Sequence, residues 1–285
     1  ASRIWKMPPS AEPKGKLGLL AGGGALPLRI RDACDQSARA LHVIVLEGQG
    51  DPADFKNVDH TVTRLGAAGA IIKTLKAAGC TELVFAGTVR RPSLKDLRPD
   101  WWAAKFFATS GAATLGDDGL LSALINALER EGFTVIGADT LVPECLMPRG
   151  LIGRHGADVF AGDIQAALTA AKALGARDAG QAAVVRDGAI IAEESADGTD
   201  AMLKRLADVG NQGGVLAKTL KPDQERRADL PTIGLNTLQN AHAAGLNGVV
   251  VEAGNAFLMD REDAAAKADA LGLFLVGIDA DGGWT

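Results

Sequence analysis

The sequence is poor in cysteine and lacks any long hydrophobic run. Its three cysteines are odd in number and far apart, which excludes a disulfide framework and a CxxC metal site and predicts buried, reduced thiols: Cys34, Cys80 and Cys145. No apolar stretch reaches the roughly 18–20 residues that a membrane-spanning helix needs. No charged and then apolar signal peptide opens the chain, so we expect a cytoplasmic protein, at most peripheral to the inner membrane.

Basic residues are not in excess either. The 285 residues include 30 Lys and Arg against 35 Asp and Glu, a formal net charge of -5, which argues against a nucleic acid partner. The four histidines form no cluster with zinc-ligand spacing, and no GxSxG motif is present. Nothing therefore supports a nucleophilic triad or a zinc site, whereas a local basic pocket for a phosphate ligand stays open.

Strand-like and helix-like segments alternate along the first half of the chain. This alternation predicts an α/β fold whose N-terminal, Rossmann-like domain has a parallel sheet with helices on both faces. The predicted strands are 16–20, 41–46, 82–86 and 133–136, and the predicted helices are 27–39, 67–78 and 119–130, the last capped by Asp117 or Asp118.

Pro, Gly, Arg and His residues interrupt the pattern at 143–156, where we place the domain boundary. The predicted N-terminal domain covers residues 16–145 and the C-terminal domain residues 150–285. In the second half, Arg186-Asp187-Gly188 is typical of a hairpin turn, which indicates antiparallel pairing. We therefore expect a mixed α/β C-terminal domain, with strands at 181–185, 189–192, 214–218 and 248–252 and helices at 199–207 and 235–244.

A glycine-rich loop follows the first predicted strand and precedes a helix that begins at Pro27. Backbone amides at such a place bind nucleotide or sugar phosphates. Pro27 replaces the third glycine of a dinucleotide fingerprint, which argues against NAD binding and a nicotinamide-dependent oxidoreductase. Two interpretations stay open: a plain strand-to-helix turn, and a phosphate contact through Gly22, Gly23 and Gly24.

The segment 218–234 is the densest in chemical groups. A metal–diphosphate site needs both signs of charge, because carboxylates hold a divalent ion while cations offset charge on phosphate oxygens. A solvated charged turn is the alternative. Asp229, beside the apolar Leu230-Pro231, is the strongest candidate for a metal ligand or general base. The charged candidates are Asp223, Glu225 and Asp229, with Lys218, Lys221, Arg226 and Arg227.

A second acidic group lies where a predicted strand ends and a helix begins. Asp197 and Asp200 have capping-box spacing. Helix capping is one interpretation. The other is contact with a metal or a phosphate, to which the Thr199 hydroxyl would donate.

Aromatic residues gather in the segment Pro99–Gly111, where Trp101, Trp102, Phe106 and Phe107 lie within seven positions. Trp102 and Phe106 share a face if the segment is helical, and a neighbouring lysine would reach lipid phosphates. The segment predicts a contact with acyl chains or with a membrane surface. Packing in the core or between domains is the alternative.

Seven separated motifs carry a resemblance to a known family. In chain order they are LGLLAGGGALP (17–27), RPSLKDLRPDW (91–101), GDDGLL (116–121), DAGQAAVVRDG (178–188), DGTDAML (197–203), KPDQERRADLPTIG (221–234) and VEAGNAFLMDRE (251–262). Together they resemble the UDP-2,3-diacylglucosamine pyrophosphatase family of the lipid A pathway, the type distinct from the metallophosphoesterase enzyme. Their common order over most of the chain is more specific than any single motif.

The resemblance implies hydrolysis of UDP-2,3-diacylglucosamine to 2,3-diacylglucosamine 1-phosphate and UMP, assisted by Mg2+ or Mn2+, in a two-domain protein. A metal-activated water would attack phosphorus directly. The family usually has Gln-Asp in place of Gln224-Glu225 and Glu in place of Asp197, and these changes keep the charge but alter its reach. A non-catalytic nucleotide-sugar binding protein is the alternative function.

These inferences assign roles to particular residues. Asp229, Glu225, Lys218 and Lys221 would be catalytic, and Asp229, Glu225 and Asp223 would hold the metal. The expected partners are the glycolipid nucleotide, a membrane surface and a second copy of the chain in a homodimer. The substrate would contact Gly22, Gly23, Gly24, Trp102, Phe106, Thr199, Asp200, Gln224, Arg226 and Arg227.

Overall fold

The computed structural model describes residues 15–90, 97–111, 116–222, 224–279 and 282–284, without the side chain of Asp117. The chain separates into two compact units, residues 1–141 and 142–285. Each unit combines a β-sheet with α-helices. The predicted α/β fold class is confirmed.

The first unit contains a five-stranded sheet. Its strands are β1 (Lys16–Ala21), β2 (Leu41–Leu46), β3 (His60–Thr63), β4 (Cys80–Ala86) and β5 (Thr134–Val135). They stand in the order β3-β2-β1-β4-β5, and each pairing is parallel. All six residues of β2 are buried, as expected for an interior strand with helices on both faces of the sheet.

Amphipathic helices connect the strands of the first unit. They are α1 (Leu26–Gln36), α2 (Ala68–Ala77), α3 (Trp101–Ser110) and α4 (Asp117–Arg130). Two details of the sequence prediction were wrong. α1 ends at Gln36 rather than Arg39, because Ala38 adopts a left-handed backbone with φ of 51°. Gly116, rather than either aspartate after it, is the N-cap of α4.

The second unit contains a mixed six-stranded sheet. Its strands are β6 (Gly150–Ile152), β7 (Ala182–Arg186), β8 (Ala189–Glu193), β9 (Val215–Lys218), β11 (Gly248–Glu252) and β13 (Phe274–Ile278), and a separate parallel pair consists of β10 (Thr232–Ile233) and β12 (Phe257–Leu258). The order is β6-β13-β11-β9-β7-β8. β9, β11 and β13 are parallel, whereas β6, β7 and β8 pair antiparallel with their neighbours.

Helices cover both faces of this sheet. They are α5 (Ala161–Ala176), α6 (Thr199–Asp208), α7 (Leu235–Ala243) and α8 (Arg261–Leu271). α5 packs Ile164 and Leu168 against Val250 and other residues of one face. α6, α7 and α8 pack on the other face, where Leu238 and Val251 belong to a second buried cluster. Apolar residues on both faces of the central strands explain why these strands read as continuous hydrophobic runs.

Chain direction determines which ends of these elements meet. β9, β11 and β13 end at one edge of the sheet, which we call the carboxyl edge. β8 is antiparallel to β7, as β9 is, so β8 ends at the same edge. α6 directly follows β8, and α7 and α8 lead within a few residues into β11 and β13, which begin at the opposite edge. The N-termini of these three helices therefore lie toward the carboxyl edge, where open α/β sheets bind their ligands.

Candidate active site

The charged loop lies at the carboxyl edge of the second unit. β9 ends at Lys218, and residues 219–231 connect it to β10. Asp223 lies outside the described residues. The loop turns back on itself because the amides of Ala228 and Asp229 both donate to the Glu225 carbonyl, at 2.9 and 3.0 Å. The other predicted catalytic residues thus occupy one short, folded segment.

Gln224 holds this segment together from inside. Its side chain is buried, its Oε1 accepts the Lys221 amide at 3.1 Å, and its Nε2 donates to Asp229 Oδ2 at 2.6 Å. Among the described residues, Asp229 Oδ1 has no hydrogen-bond partner. Gln224, which we expected to bind substrate, orients the carboxylate of Asp229.

The carboxylate of Glu225 is bound to Arg227. Arg227 donates from Nε to Oε1 at 2.9 Å and from Nη2 to Oε2 at 2.8 Å, and its own amide donates to Oε1 at 3.2 Å. Hydrogen bonds from the Arg227 guanidinium hold the pKa of Glu225 below its ordinary value. Both oxygens of Glu225 are therefore already in use, unlike those of Asp229.

Two further contacts tie the loop to the chain that follows β11. Arg226 donates to Asn255 Oδ1 and to the Gly254 carbonyl, both at 2.5 Å. Near the start of the loop, the Leu220 amide donates to Glu252 Oε2 at 3.2 Å. Sequence reasoning missed Glu252 and Asn255 as parts of this site. The available signal was the polar segment that follows the buried apolar strand in the motif VEAGNAFLMDRE.

The two lysines of the site differ in their surroundings. Lys221 donates from Nζ to Asp178 Oδ1 at 2.8 Å, and its side chain is 14% exposed. Lys218, the last residue of β9, has no hydrogen-bond or ion-pair partner within the described ranges. Its ammonium group is therefore the one we regard as available to a phosphate.

The second predicted acidic group is connected to the loop by a chain of hydrogen bonds. Thr199 Oγ1 donates to Glu194 Oε1 at 2.9 Å, the Gln181 amide donates to Glu194 Oε2 at 2.8 Å, and the Thr219 amide donates to the Gln181 carbonyl at 2.9 Å. Asp200 accepts a hydrogen bond from α7 at 2.8 Å. The Thr199 hydroxyl is thus bonded inside the protein, whereas we expected it to donate to a phosphate.

Two helix N-termini at the carboxyl edge lack side-chain caps. Gly198 and Gly234 are the N-cap residues of α6 and α7, and neither helix has a side-chain cap hydrogen bond. Asp197 bonds to Ser195 and Arg205 instead of capping α6. A Cβ atom at Gly198 or Gly234 would have no neighbour within 4 Å. Helix N-termini without a side-chain cap are places where backbone amides can bind an anion.

Comparison with known proteins identifies the family of the chain. Family models described as the LpxI N-terminal domain and the LpxI C-terminal domain match residues 16–145 and 148–276. A Caulobacter vibrioides protein described as UDP-2,3-diacylglucosamine pyrophosphatase LpxI is 43% identical over 274 residues, which cover 93% of this chain and 98% of the relative. The chain belongs to the LpxI family. The resemblance inferred from the seven motifs is confirmed.

In the first unit of this LpxI-family chain, the glycine-rich loop is bonded to the end of β4. The Gly22 amide donates to the Ala86 carbonyl at 2.8 Å, and the Gly23 amide donates to the Thr88 carbonyl at 2.9 Å. A Cβ atom on Gly22 would stand 2.5 Å from Thr88 O. These two amides are therefore not free for a phosphate. Gly24, with φ of 91° and open space around it, is the part of the loop that can still meet a ligand.

The aromatic segment forms α3 and divides between interior and surface. Phe106 is 9% exposed and stacks on Trp102, with ring centroids 5.7 Å apart. Trp102 Nε1 donates to Glu131 Oε1 at 2.9 Å. Trp101, by contrast, is 83% exposed. Trp102 and Phe106 therefore pack within the first unit, and Trp101 is the side chain that faces solvent.

The described part of the chain lacks two features, a membrane-spanning helix and a cluster of metal-binding side chains. No helix there combines the length and the apolarity needed to cross a membrane. No group of three or more His, Cys, Asp or Glu side chains there is arranged to hold a metal ion.

Proposed function

We propose that this chain hydrolyses the diphosphate of UDP-2,3-diacylglucosamine to 2,3-diacylglucosamine 1-phosphate and UMP in lipid A biosynthesis. Membership of the LpxI family and the described activity of the Caulobacter relative support the substrate and the reaction. The observation that carries the proposal is the carboxyl edge of the second unit. Asp229 and Lys218 come together there with two helix N-termini that lack side-chain caps, and among the described residues neither Asp229 Oδ1 nor Lys218 Nζ has a partner.

The mechanism that fits this edge needs no covalent enzyme intermediate. Water attacks a phosphorus atom, the bond to the bridging oxygen breaks, and negative charge redistributes over the phosphate oxygens. Lys218 and the first-turn amides of α6 and α7 stabilise that charge. Arg226, held by Asn255 and Gly254, adds a fixed positive charge beside them. Asp229, oriented by Gln224, is the carboxylate that acts on the attacking water.

The same residues fit a divalent cation with few protein ligands. Mg2+ is usually held by one or two carboxylates, and water and substrate phosphates complete its coordination. Asp229 keeps one oxygen without a partner among the described residues, whereas Glu225 has both oxygens bonded to Arg227. We therefore assign the metal contact to Asp229. When bound, Mg2+ or Mn2+ would supply Lewis-acid stabilisation of the diphosphate.

A cytoplasmic location and contact with the inner-membrane surface are part of the proposal. A substrate with two long acyl chains has to be taken from a bilayer. Trp101 is exposed on α3, with Lys105 one turn later on the same helix, and such a pair suits the membrane–water interface.

We also propose that the protein is a homodimer. Light scattering of the purified protein distinguishes a homodimer from a monomer.

Release of UMP, measured with and without EDTA, tests the function. We expect UMP from UDP-2,3-diacylglucosamine, loss of release in EDTA, and recovery when Mg2+ or Mn2+ is restored. A non-catalytic nucleotide-sugar binding protein would bind the same substrate and release no UMP. Unchanged UMP release in excess EDTA would show that hydrolysis needs no divalent cation, although the proposed reaction itself would stand.

Asp229→Asn tests the central residue. We expect turnover to fall on the order of 100-fold or more while the fold survives, since the variant loses charge but keeps its shape. Asp187→Asn is the matched control, because Asp187 is 94% exposed in the hairpin turn at the opposite edge of the sheet. If the Asp229→Asn variant is as active as the control, Asp229 has no catalytic role.

A further inference from the structure

Glu252 is a buried carboxylate that the mechanism above does not use. It is the last residue of β11, and its side chain is 9% exposed. Acidic side chains are almost never buried to this extent unless they are paired. Glu252 Oε1 lies 3.1 Å from Lys172 Nζ of α5, and Glu252 Oε2 accepts the Leu220 amide at 3.2 Å. Its two oxygens thus serve two different parts of the unit.

The hydrogen bond at the Leu220 amide affects the path of the loop that follows β9. Leu220 is the second residue after β9, so its amide sets the direction in which the chain leaves the strand. Lys218 lies two residues before it, and the Gln224–Asp229 bond lies further along the same loop. An anchor at Leu220 therefore determines where Lys218 and Asp229 stand relative to each other.

The amides on either side of Leu220 are bonded elsewhere, Thr219 to the Gln181 carbonyl and Lys221 to Gln224 Oε1, so Glu252 is the acceptor of the Leu220 amide itself. The Thr219 hydroxyl is fully buried and has no hydrogen-bond partner among the described residues, and the same holds for Gln181 Oε1. Thr219 lies directly after Lys218, which pairs with Ala182 across β7 and β9, so Gln181 and Thr219 are opposite one another. Buried polar groups without partners weaken the structure around them. Loss of Glu252 would leave the Leu220 amide without this acceptor, next to the Thr219 hydroxyl, which has no partner within the described part of the chain.

We propose that Glu252 is a positioning residue for the hydrolysis, acting through the Leu220 amide rather than on the substrate. The inference rests on the proposed function of the loop. The reach of its side chain matters for this role, whereas its negative charge serves mainly the ion pair with Lys172.

Two conservative variants separate reach from charge. Glu252→Gln keeps an acceptor oxygen for the Leu220 amide when its NH2 group is turned toward Lys172, and it removes both the charge and the ion pair. Glu252→Asp keeps the charge and shortens the side chain by one methylene. We expect Glu252→Gln to retain turnover within a few-fold, and Glu252→Asp to lose on the order of 100-fold, because a shift of about 1 Å in a catalytic group has that effect. The Michaelis constant should change much less than turnover.

Asp163→Ala is the control for a purely structural effect. Asp163 accepts the amides of Asp187 and Gly188 at 3.0 and 2.8 Å, the same kind of bond at the opposite edge of the sheet. We expect its melting temperature to fall while turnover stays at the wild-type level. The proposal is overturned if Glu252→Asp keeps full turnover, or if Glu252→Gln is the more damaging variant, since charge would then be the property required.

Hydrogen exchange at the Leu220 amide provides a readout independent of activity. Exchange should be slow in the wild type and in Glu252→Gln and faster in Glu252→Asp. Equal exchange in all three proteins would refute the anchor. If the wild type releases no UMP, the proposed function fails, yet this measurement still decides whether Glu252 holds the loop.

Discussion

Glu225 and Asp229 are carboxylates of one loop with the same charge. They differ in how many of their oxygens already accept a hydrogen bond. Both were candidates for a metal ligand on charge alone. Arg227 uses both oxygens of Glu225, while Gln224 uses one oxygen of Asp229. Glu225 therefore holds the loop through Arg227, and Asp229 stays our candidate for the chemistry.

The Glu225–Arg227 pair predicts a definite pH dependence of stability. Because Arg227 lowers the pKa of Glu225, the pair stabilises the fold above the ordinary glutamate pKa of about 4.3 and loses this contribution as pH falls through the lowered value. Glu225→Gln should therefore lower the free energy of unfolding by about 0.5–1 kcal/mol at pH 7, a small value because both side chains are partly exposed. Urea unfolding from pH 7 to pH 3 measures the difference.

The difference between wild type and Glu225→Gln should shrink at the acid end of that series. Arg227→Gln removes the other partner and should show the same pH dependence as Glu225→Gln. A difference that grows below pH 4 would show that the carboxylate is held in its neutral form, contrary to the direction of the shift.

At the scale of elements, the turn from β1 into α1 packs closely against the chain that follows β4. Gly22→Ala would place a Cβ atom 2.5 Å from the Thr88 carbonyl oxygen, so the backbone has to move. We expect a loss of about 1–3 kcal/mol in the free energy of unfolding, the usual range for overpacking. Gly162→Ala is the control, because its Cβ atom would meet nothing within 4 Å.

Kinetics of the same variants distinguish packing from ligand contact. Gly22→Ala should leave the Michaelis constant of the folded protein near the wild-type value. A raised Michaelis constant with unchanged stability would instead show that the loop approaches the ligand at Gly22.

Helix α3 should show a separation between stability and membrane binding. Phe106→Ala removes a buried ring stacked on Trp102 and should cost roughly 3 kcal/mol in the free energy of unfolding. Trp101→Ala removes an 83% exposed side chain and should change stability by less than about 0.5 kcal/mol. Thermal unfolding and sedimentation with anionic liposomes measure the two effects.

We expect liposome association to weaken in Trp101→Ala and to persist in any folded fraction of Phe106→Ala. If wild type and Trp101→Ala bind liposomes equally, α3 is not the membrane contact.

At the scale of the whole molecule, the three cysteines report on the two units separately. Cys34 and Cys80 belong to the first unit and Cys145 to the second, and all three are buried. Burial raises the pKa of the Cys34 and Cys80 thiols, which lowers their reactivity further. We expect negligible labelling by a thiol reagent in native buffer, and joint labelling of Cys34 and Cys80 as urea unfolds their unit.

Mass spectrometry of labelled peptides assigns each modification to its cysteine. A small free thiol in the same urea series controls for the reagent. Labelling of Cys34 well before Cys80 would show that α1 opens locally and that the first unit does not unfold as one body.

The sequence by itself determined the features that depend on short-range patterns. Alternating apolar strands and amphipathic helices are sufficient for the α/β class, and the density of charge after an apolar strand marks the loop at 218–234. β3 was missed because none of its four residues is buried at this edge of the sheet and Val62 is exposed, so they form no apolar run.

Only the tertiary structure decided which groups in the site are still available. Glu252 reaches Leu220 across 32 residues of chain, because β9 and β11 are neighbours in register. Gly22 meets Thr88 for the same kind of reason, since β1 pairs with β4. Strand order and register are properties of the folded sheet, and local sequence patterns carry no record of them. The residue types of the site could therefore be read from the sequence, while their bonding partners could not.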